Sequence, residues 1–188
     1  MGSSKTAQLL MQRYNYQQLG LKVALVKPAI DTRAGVNVVY SRIGLEAEAE
    51  IVLDADTPVR EQLAWLAVQQ AHNTFQYVFV DEAQFLTESQ VQELADLADT
   101  LEIYCYGLKT DFMGQFFPGS AALLRLAEDI QEVTGSLCWC GRKATMNTRV
   151  DAEGNVVRTG EQVVIDNHQD FRYIGLCYRH WREGKSHA

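Results

Sequence analysis

Three groups of residues in this chain have types and spacings that could do chemistry. The first is Met1-Gly-Ser-Ser-Lys-Thr6, a run of small residues leading into a helical pattern. Small residues let backbone N–H groups close around phosphate oxygens, a Lys neutralises β and γ phosphates, and a hydroxyl can hold magnesium. Gly2, Ser3, Ser4, Lys5 and Thr6 are the candidates for those roles. The full P-loop pattern also requires a strand and a further Gly upstream, and Ser4 stands where the pattern has Gly. Taken alone, the segment suits an ordinary small-residue helix start better than a phosphate site.

The second group shifts that balance. Tyr77-Val-Phe-Val80 is a continuous apolar run that ends in Asp81 and Glu82. A carboxylate at the end of a buried strand is the Walker B arrangement, in which the first acid supports magnesium. Glu82 is then free to accept a proton from an alcohol during phosphoryl transfer. The plainer alternative is a solvated acidic turn ahead of a helix, whose dipole favours negative charge.

Cysteines form the third group. Four occur, at 105, 138, 140 and 177, and Cys138-Trp-Cys140 with Cys177-Tyr-Arg-His180 makes a pair-and-pair ligand set across a long loop. Zinc takes four such ligands tetrahedrally, so Cys138, Cys140, Cys177 and His180 are expected to hold a structural zinc with no open position for water. The one-residue spacing of the first pair is tighter than the common two-residue spacing. Cys105, alone in an apolar run, reads as a buried small residue.

The elements that must position these groups follow from pattern. Residues 1–20 read as a helix, with Leu9, Leu10 and Tyr14 at helical spacing and Gly20 as its stop. Lys22–Lys27 reads as a strand. A helix is expected from Thr57 as N-cap and Pro58 at its first position, through Leu63, Leu66 and Ala67, to near Asn73. Thr87-Glu-Ser-Gln90 is a capping-box pattern that opens another helix, and Leu101–Tyr106 is a further strand. Alternation of strand and helix up to about residue 136 predicts an α/β fold, a mostly parallel sheet with helices on both faces and ligands at the strand C-termini. From Ser136 onward, cysteines, glycines and short β-like runs indicate a small second module. The expected domains are therefore 1–136 and 137–188.

At 188 residues and 47% hydrophobic content, the chain can bury one good-sized core. A formal charge of −7 argues against a surface built for a nucleic acid polymer. No apolar run approaches the roughly 20 residues that span a bilayer, and signal-peptide zones are not seen, so no membrane association and a cytoplasmic location are expected.

Taken together, Val80-Asp-Glu-Ala-Gln-Phe85, Tyr106-Gly-Leu-Lys-Thr-Asp-Phe112, Cys138-Trp-Cys-Gly-Arg-Lys-Ala144, Gly160-Glu-Gln-Val-Val-Ile165 and Tyr173-Ile-Gly-Leu-Cys177 make the chain resemble the zinc-containing type II thymidine kinases, bacterial members above all. The resemblance covers nearly the whole chain. It implies a RecA-like P-loop domain followed by a zinc-held lasso domain, a homotetramer, and transfer of phosphate from ATP, with Mg2+, to the 5'-hydroxyl of thymidine. By position, Glu82 matches the family's catalytic base, Asp81 its magnesium-supporting carboxylate, and Lys5 and Thr6 its P-loop pair. Asp31 and Arg33 match a loop near the phosphates, where Arg33 would steady the transferred charge. Met1, Leu108, Phe112 and Phe117 match the apolar surround of the thymine ring, and Tyr173 a lasso residue that closes over it. Composition alone reads these five as core residues.

Lasso backbone between Val163 and Tyr173, with Val164 and Ile165, would hydrogen-bond the base edge. Asp166-Asn167 stands there where many relatives carry Gly-Gly, and His168 reads as a solvent-facing loop residue. Relatives also carry a strand and the opening P-loop residues before the position of Met1. The first strand is accordingly expected to be missing from the middle of the sheet, beside the Asp81 strand, with a slacker phosphate grip. Two alternatives follow: an N-terminally truncated, noncatalytic nucleotide- and zinc-binding relative that assembles with complete kinases, and a P-loop ATPase with another acceptor.

Overall fold

A computed structural model describes residues 4–70, 75–133, 135–163 and 171–188. Strands β1 (Val23–Pro28), β4 (Ile51–Leu53), β5 (Tyr77–Val80) and β6 (Glu102–Cys105) form a parallel sheet in the order β4-β1-β5-β6. The alternation of side chains across a strand sorts the core into two layers. Val23, Leu25 and Phe79 point to one face and pack with Leu9 and Leu10 of helix α1 (Lys5–Gln18). Ala24, Val26, Val78 and Val80 point to the other, against α2 (Val59–Gln69), α3 (Glu88–Leu97) and α4 (Pro118–Leu126). Both faces of β1 and β5 are thus covered, which is why these strands read as continuous apolar runs.

Two further pieces lie outside this sheet. Strands β2 (Val38–Tyr40) and β3 (Glu46–Glu48) form a hairpin, and β7 (Met146–Asp151) pairs antiparallel with β8 (Phe171–Leu176), which leads into α5 (Tyr178–Glu183). The hairpin escapes the sequence reading because each of its strands has only three residues, one of them Glu-Ala-Glu.

Two expectations need correction. The α2 N-cap is Pro58, one residue later than the pattern suggests. Thr57 is held back because its N–H donates to the Asp54 carbonyl and its own carbonyl accepts from Gln90 Nε2. That helix stops at Gln69, and the expected end near Asn73 lies outside the described residues. The place assigned to a missing strand is also wrong. The Asp81 strand, β5, is paired on both sides, by β1 and by β6, so no gap exists beside it. Among the described residues the sheet ends at β4 and β6.

The capping box of α3 forms as read, with Thr87 Oγ1 accepting from Gln90 N at 3.2 Å and Gln90 Oε1 accepting from Thr87 N at 3.0 Å. Gly20, with φ 76°, ends the α1 turn in the left-handed region that glycine tolerates. A tighter constraint sits at Gly119, where α4 crosses the 3₁₀ turn Ala83–Phe85. A Cβ there would lie 2.6 Å from the Leu86 carbonyl oxygen and 2.8 Å from those of Ala83 and Gln84. These are backbone atoms and cannot swing away. Gly119→Ala should therefore cost roughly 1–3 kcal/mol by overpacking. The check is a thermal melt against Ala121→Gly, which removes a methyl from the same helix at an exposed position.

Candidate active site and metal centre

Parallel pairing of Val26 with Val80 brings the C-terminal ends of β1 and β5 to the same level. The loop after β1 and the acid pair after β5 therefore emerge together, facing the start of α1. A cavity of about 430 Å³ opens there. Ser4, Lys5, Thr6, Asp31, Arg33, Glu82, Leu108, Phe112, Phe117 and Tyr173 all line it. Met1, Gly2, Ser3, Val164 and Ile165 lie outside the described residues, as do Asp166, Asn167 and His168.

At the α1 end of the cavity, Thr6 Oγ1 donates to Asp81 Oδ2 at 3.0 Å, with Oδ1 at 3.3 Å. Asp81 is almost fully buried, and burial together with the neighbouring Glu82 charge pushes its carboxyl up to about 6, against the pull of the Thr6 hydrogen bond. Ser4, at the N-cap of α1, sits at φ 60°, ψ 20°. Ser4 in place of the pattern's Gly thus puts a side chain in the left-handed region, at a cost of about 1–2 kcal/mol.

Glu82 is also left-handed, at φ 48°, ψ 38°, and caps the 3₁₀ turn. Both of its oxygens are held. Arg33 Nη2 lies 2.9 Å from Oε1, and Gln84 Nε2 donates to Oε2 at 2.6 Å. Arg33 also grips Asp31 through Nε at 2.7 Å and Nη2 at 3.1 Å. Burial alone would lower the Arg33 pKa, but the Asp31 hydrogen bonds and the Glu82 charge hold it above its ordinary value. For Asp31, burial raises and the Arg33 hydrogen bond lowers, and the net shift is downward. An ion-paired, oriented carboxylate beside a fixed guanidinium is suited to proton acceptance next to accumulating negative charge.

Residues that the pattern did not single out keep this arrangement in place. Lys27, buried on β1, donates from Nζ to the Gly35 and Val38 carbonyls at 3.2 and 2.8 Å, and so ties down the loop that carries Asp31 and Arg33. Its burial lowers its pKa. The available signal was a lone cation inside an apolar strand. Gln84 Oε1 accepts from Leu108 N at 3.0 Å, and Ser120 Oγ donates to the Leu108 carbonyl at 2.6 Å, which fixes the backbone of the Leu108 loop. Gln84 was legible only as part of the Asp-Glu-Ala-Gln motif. Asn147, Gln162 and Val163 line the cavity as well, from the β7 side.

Phe112 and Phe117 are buried, the latter edge-on to Phe85 at 5.6 Å between ring centres. The cavity thus has a charged end near Thr6, Arg33 and Glu82 and an aromatic end near Phe112, Phe117 and Tyr173. An apolar pocket with a few convergent polar groups is the usual form of a small-molecule site.

Cys138, Cys140, Cys177 and His180 also converge, with their ligand atoms all within 4.8 Å of one another. Cys138 Sγ is 3.3 Å from His180 Nδ1, and Cys140 Sγ is 4.0 Å from Cys177 Sγ. Zinc bonds of about 2.0–2.3 Å in a tetrahedron need ligand separations of this order, so the donor set fits zinc. Local structure prepares it. The turn after Cys138 closes through Gly141, at φ 80°, and Cys177 caps α5 so that His180 falls on the same side one turn later. Burial alone would raise the Cys138 thiol, but N–H donors of Cys140 and Cys177, aided by His180, bring it down to about 6. That favours the thiolate a metal requires. Trp139 stacks on the His180 ring at 4.2 Å and 9°.

The thymidine kinase family model matches residues 1–181. The chain belongs to that family. It is 46% identical over 190 residues to the thymidine kinase of Mesorhizobium japonicum, covering all of this chain and 90% of that protein. The Rhizobium meliloti thymidine kinase is 45% identical over 190 residues, 98% of this chain and 95% of the relative. That of Enterobacteria phage T4 is 42% identical over 185 residues, 97% and 92%.

Two outcomes test the site. Because Asp81 is raised from about 3.8 to about 6, its contribution to stability is full below the lower value and is lost as pH rises through the upper one. The ligand-free chain should therefore lose stability relative to Asp81→Asn between pH 4 and pH 7, read as the difference of their unfolding free energies; a flat difference contradicts the burial argument. For the metal centre, Cys177→Ser should lower bound zinc from about one per chain and reduce the melting temperature. Elemental analysis of the two purified proteins gives the answer.

Proposed function

We propose that this chain transfers the γ-phosphate of ATP to the 5'-hydroxyl of thymidine, giving thymidine monophosphate and ADP. The observation that carries the reading is that Glu82 lines one cavity together with Lys5 and Arg33 and with the aromatic Phe112, Phe117 and Tyr173, in a member of the thymidine kinase family. The nucleoside base would lie among Leu108, Phe112, Phe117 and Tyr173, where flat apolar walls suit a methylated ring. Its 5'-hydroxyl would then face Glu82. As the bond forms between that oxygen and the γ-phosphorus, and the bond to the ADP oxygen breaks, the hydroxyl proton passes to a Glu82 carboxylate oxygen. Arg33, fixed by Asp31, faces the equatorial oxygens, and Lys5 the β and γ phosphates.

Thr6 and Asp81 would hold Mg2+, which when bound neutralises phosphate charge. Zinc, held by Cys138, Cys140, Cys177 and His180, serves structure. In this reading residues 1–136 bind the nucleotide and residues 137–188 form the zinc-held lasso domain, with Val164 and Ile165 along the base edge and Gly2, Ser3 and Met1 completing the phosphate and base surrounds. A homotetramer in the cytoplasm is part of the same proposal and rests on the family resemblance. Among the described residues, no helix is long and apolar enough to cross a membrane.

The test is transfer of labelled phosphate from ATP to thymidine by the folded, zinc-loaded chain, with deoxycytidine as a control acceptor. Thymidine monophosphate is the expected product, and its absence overturns the reading. Glu82→Gln should lower kcat by about 10²–10⁴-fold while ATP binding by calorimetry is retained. Turnover like that of the unaltered chain would remove Glu82 as the base.

A further inference from the structure

Arg149 belongs to none of the groups described so far, yet it touches both walls of the aromatic pocket. It lies in β7, directly opposite Tyr173 of β8 in the strand register, and is buried. Its guanidinium carbon sits 3.8 Å from the centre of the Phe112 ring, 4.8 Å from that of Phe171 and 5.3 Å from that of Tyr173. Nε and Nη2 both donate to the Tyr173 hydroxyl, at 3.0 and 2.6 Å, and Nη2 also donates to the Glu161 carbonyl at 3.0 Å. The approach is close enough that a Cβ on Gly160, which has φ 122°, would come within 3.3 Å of Nη1.

A buried guanidinium costs free energy unless its charge and N–H groups are met, and apolar residues would fill the same space more cheaply. What Arg supplies here is shape. Its plane stacks on one ring while its fork holds a hydroxyl on another, a combination that Lys does not reproduce. The two groups it joins come from different parts of the chain: Phe112 from the loop after β6, Tyr173 from β8 with Glu161 from the segment after β7.

We propose that Arg149 is a positioning residue for the nucleoside pocket, setting the distance between the Phe112 wall and the Tyr173 wall without itself lining the cavity. This rests on the thymidine reading given above. A residue with this role governs how well the base is gripped and leaves phosphate transfer itself almost unchanged.

The experiment is steady-state kinetics of the zinc-loaded chain with Arg149→Lys, Tyr173→Phe and both together. Arg149→Lys should raise the KM for thymidine about tenfold or more, with kcat within about threefold and the KM for ATP unmoved. Tyr173→Phe removes the hydroxyl that Arg149 holds, so the double variant should fall short of the product of the single effects. If Arg149→Lys does not fold, Arg149→Gln, which keeps N–H groups for the Tyr173 hydroxyl but loses the ring contacts, takes its place with the same expected split between the two KM values. An unchanged thymidine KM, or equal rises for both substrates, overturns the role. A parent chain inert toward thymidine instead fails the functional reading, and this role with it.

Discussion

Everything at the active site depends on β1 and β5 lying side by side and in step. Register pairs Val23 with Tyr77 and Val26 with Val80, so two loops of very different composition leave the sheet at one point. One carries a cation and an acid, the other two acids, and α1 supplies the facing hydroxyl and Lys. A slip of one residue would turn Val80 to the opposite face and carry Asp81 away from Thr6. Burial on both faces forbids that slip, because each strand residue is matched to one of two separate core layers. The geometry of the candidate site thus rests on packing.

The polar contacts then hold a strained arrangement. Ser4 and Glu82 occupy left-handed backbone, Asp81 is buried beside a second acid, and Lys27 is buried in a strand. Each is unfavourable by itself, and three of the four groups face partners: the Thr6 hydroxyl for Asp81, the Arg33 and Gln84 donors for Glu82, the Gly35 and Val38 carbonyls for Lys27. Strain of this kind persists where surrounding structure over-determines it, which is common at sites that do chemistry.

Much of this was legible in the sequence, for identifiable reasons. Tyr77–Val80 and its acids stood out because a doubly buried parallel strand leaves an uninterrupted apolar run. The Cys3His cluster stood out because paired ligands on short turns have a spacing of their own, and Thr87 with Gln90 because a cap is a local event. The β2–β3 hairpin and the roles of Lys27, Gln84 and Arg149 were not legible. Arg149 and Gln84 act through residues far along the chain, Phe112 and Leu108, which no periodicity encodes; Lys27 acts on carbonyls of an irregular loop, and the hairpin strands are too short to show a pattern. The misplaced strand has the same origin, since strand order is a property of the assembled sheet: β6 already fills the flank of β5.

Trp181, just after His180 in α5, donates from Nε1 to the Phe112 carbonyl at 3.1 Å, and its ring lies against Gly114, where a Cβ would meet it at 3.1 Å. The helix that carries His180 and is capped by Cys177 is therefore fastened to the backbone of a pocket wall. Linkage makes such a connection run both ways. Whatever free energy the metal lends to an ordered Phe112 loop, an occupant of the pocket returns to the metal. A nucleoside filling the cavity should slow the escape of zinc to a chelator, and the resting enzyme would be most exposed to metal theft when its substrate is scarce.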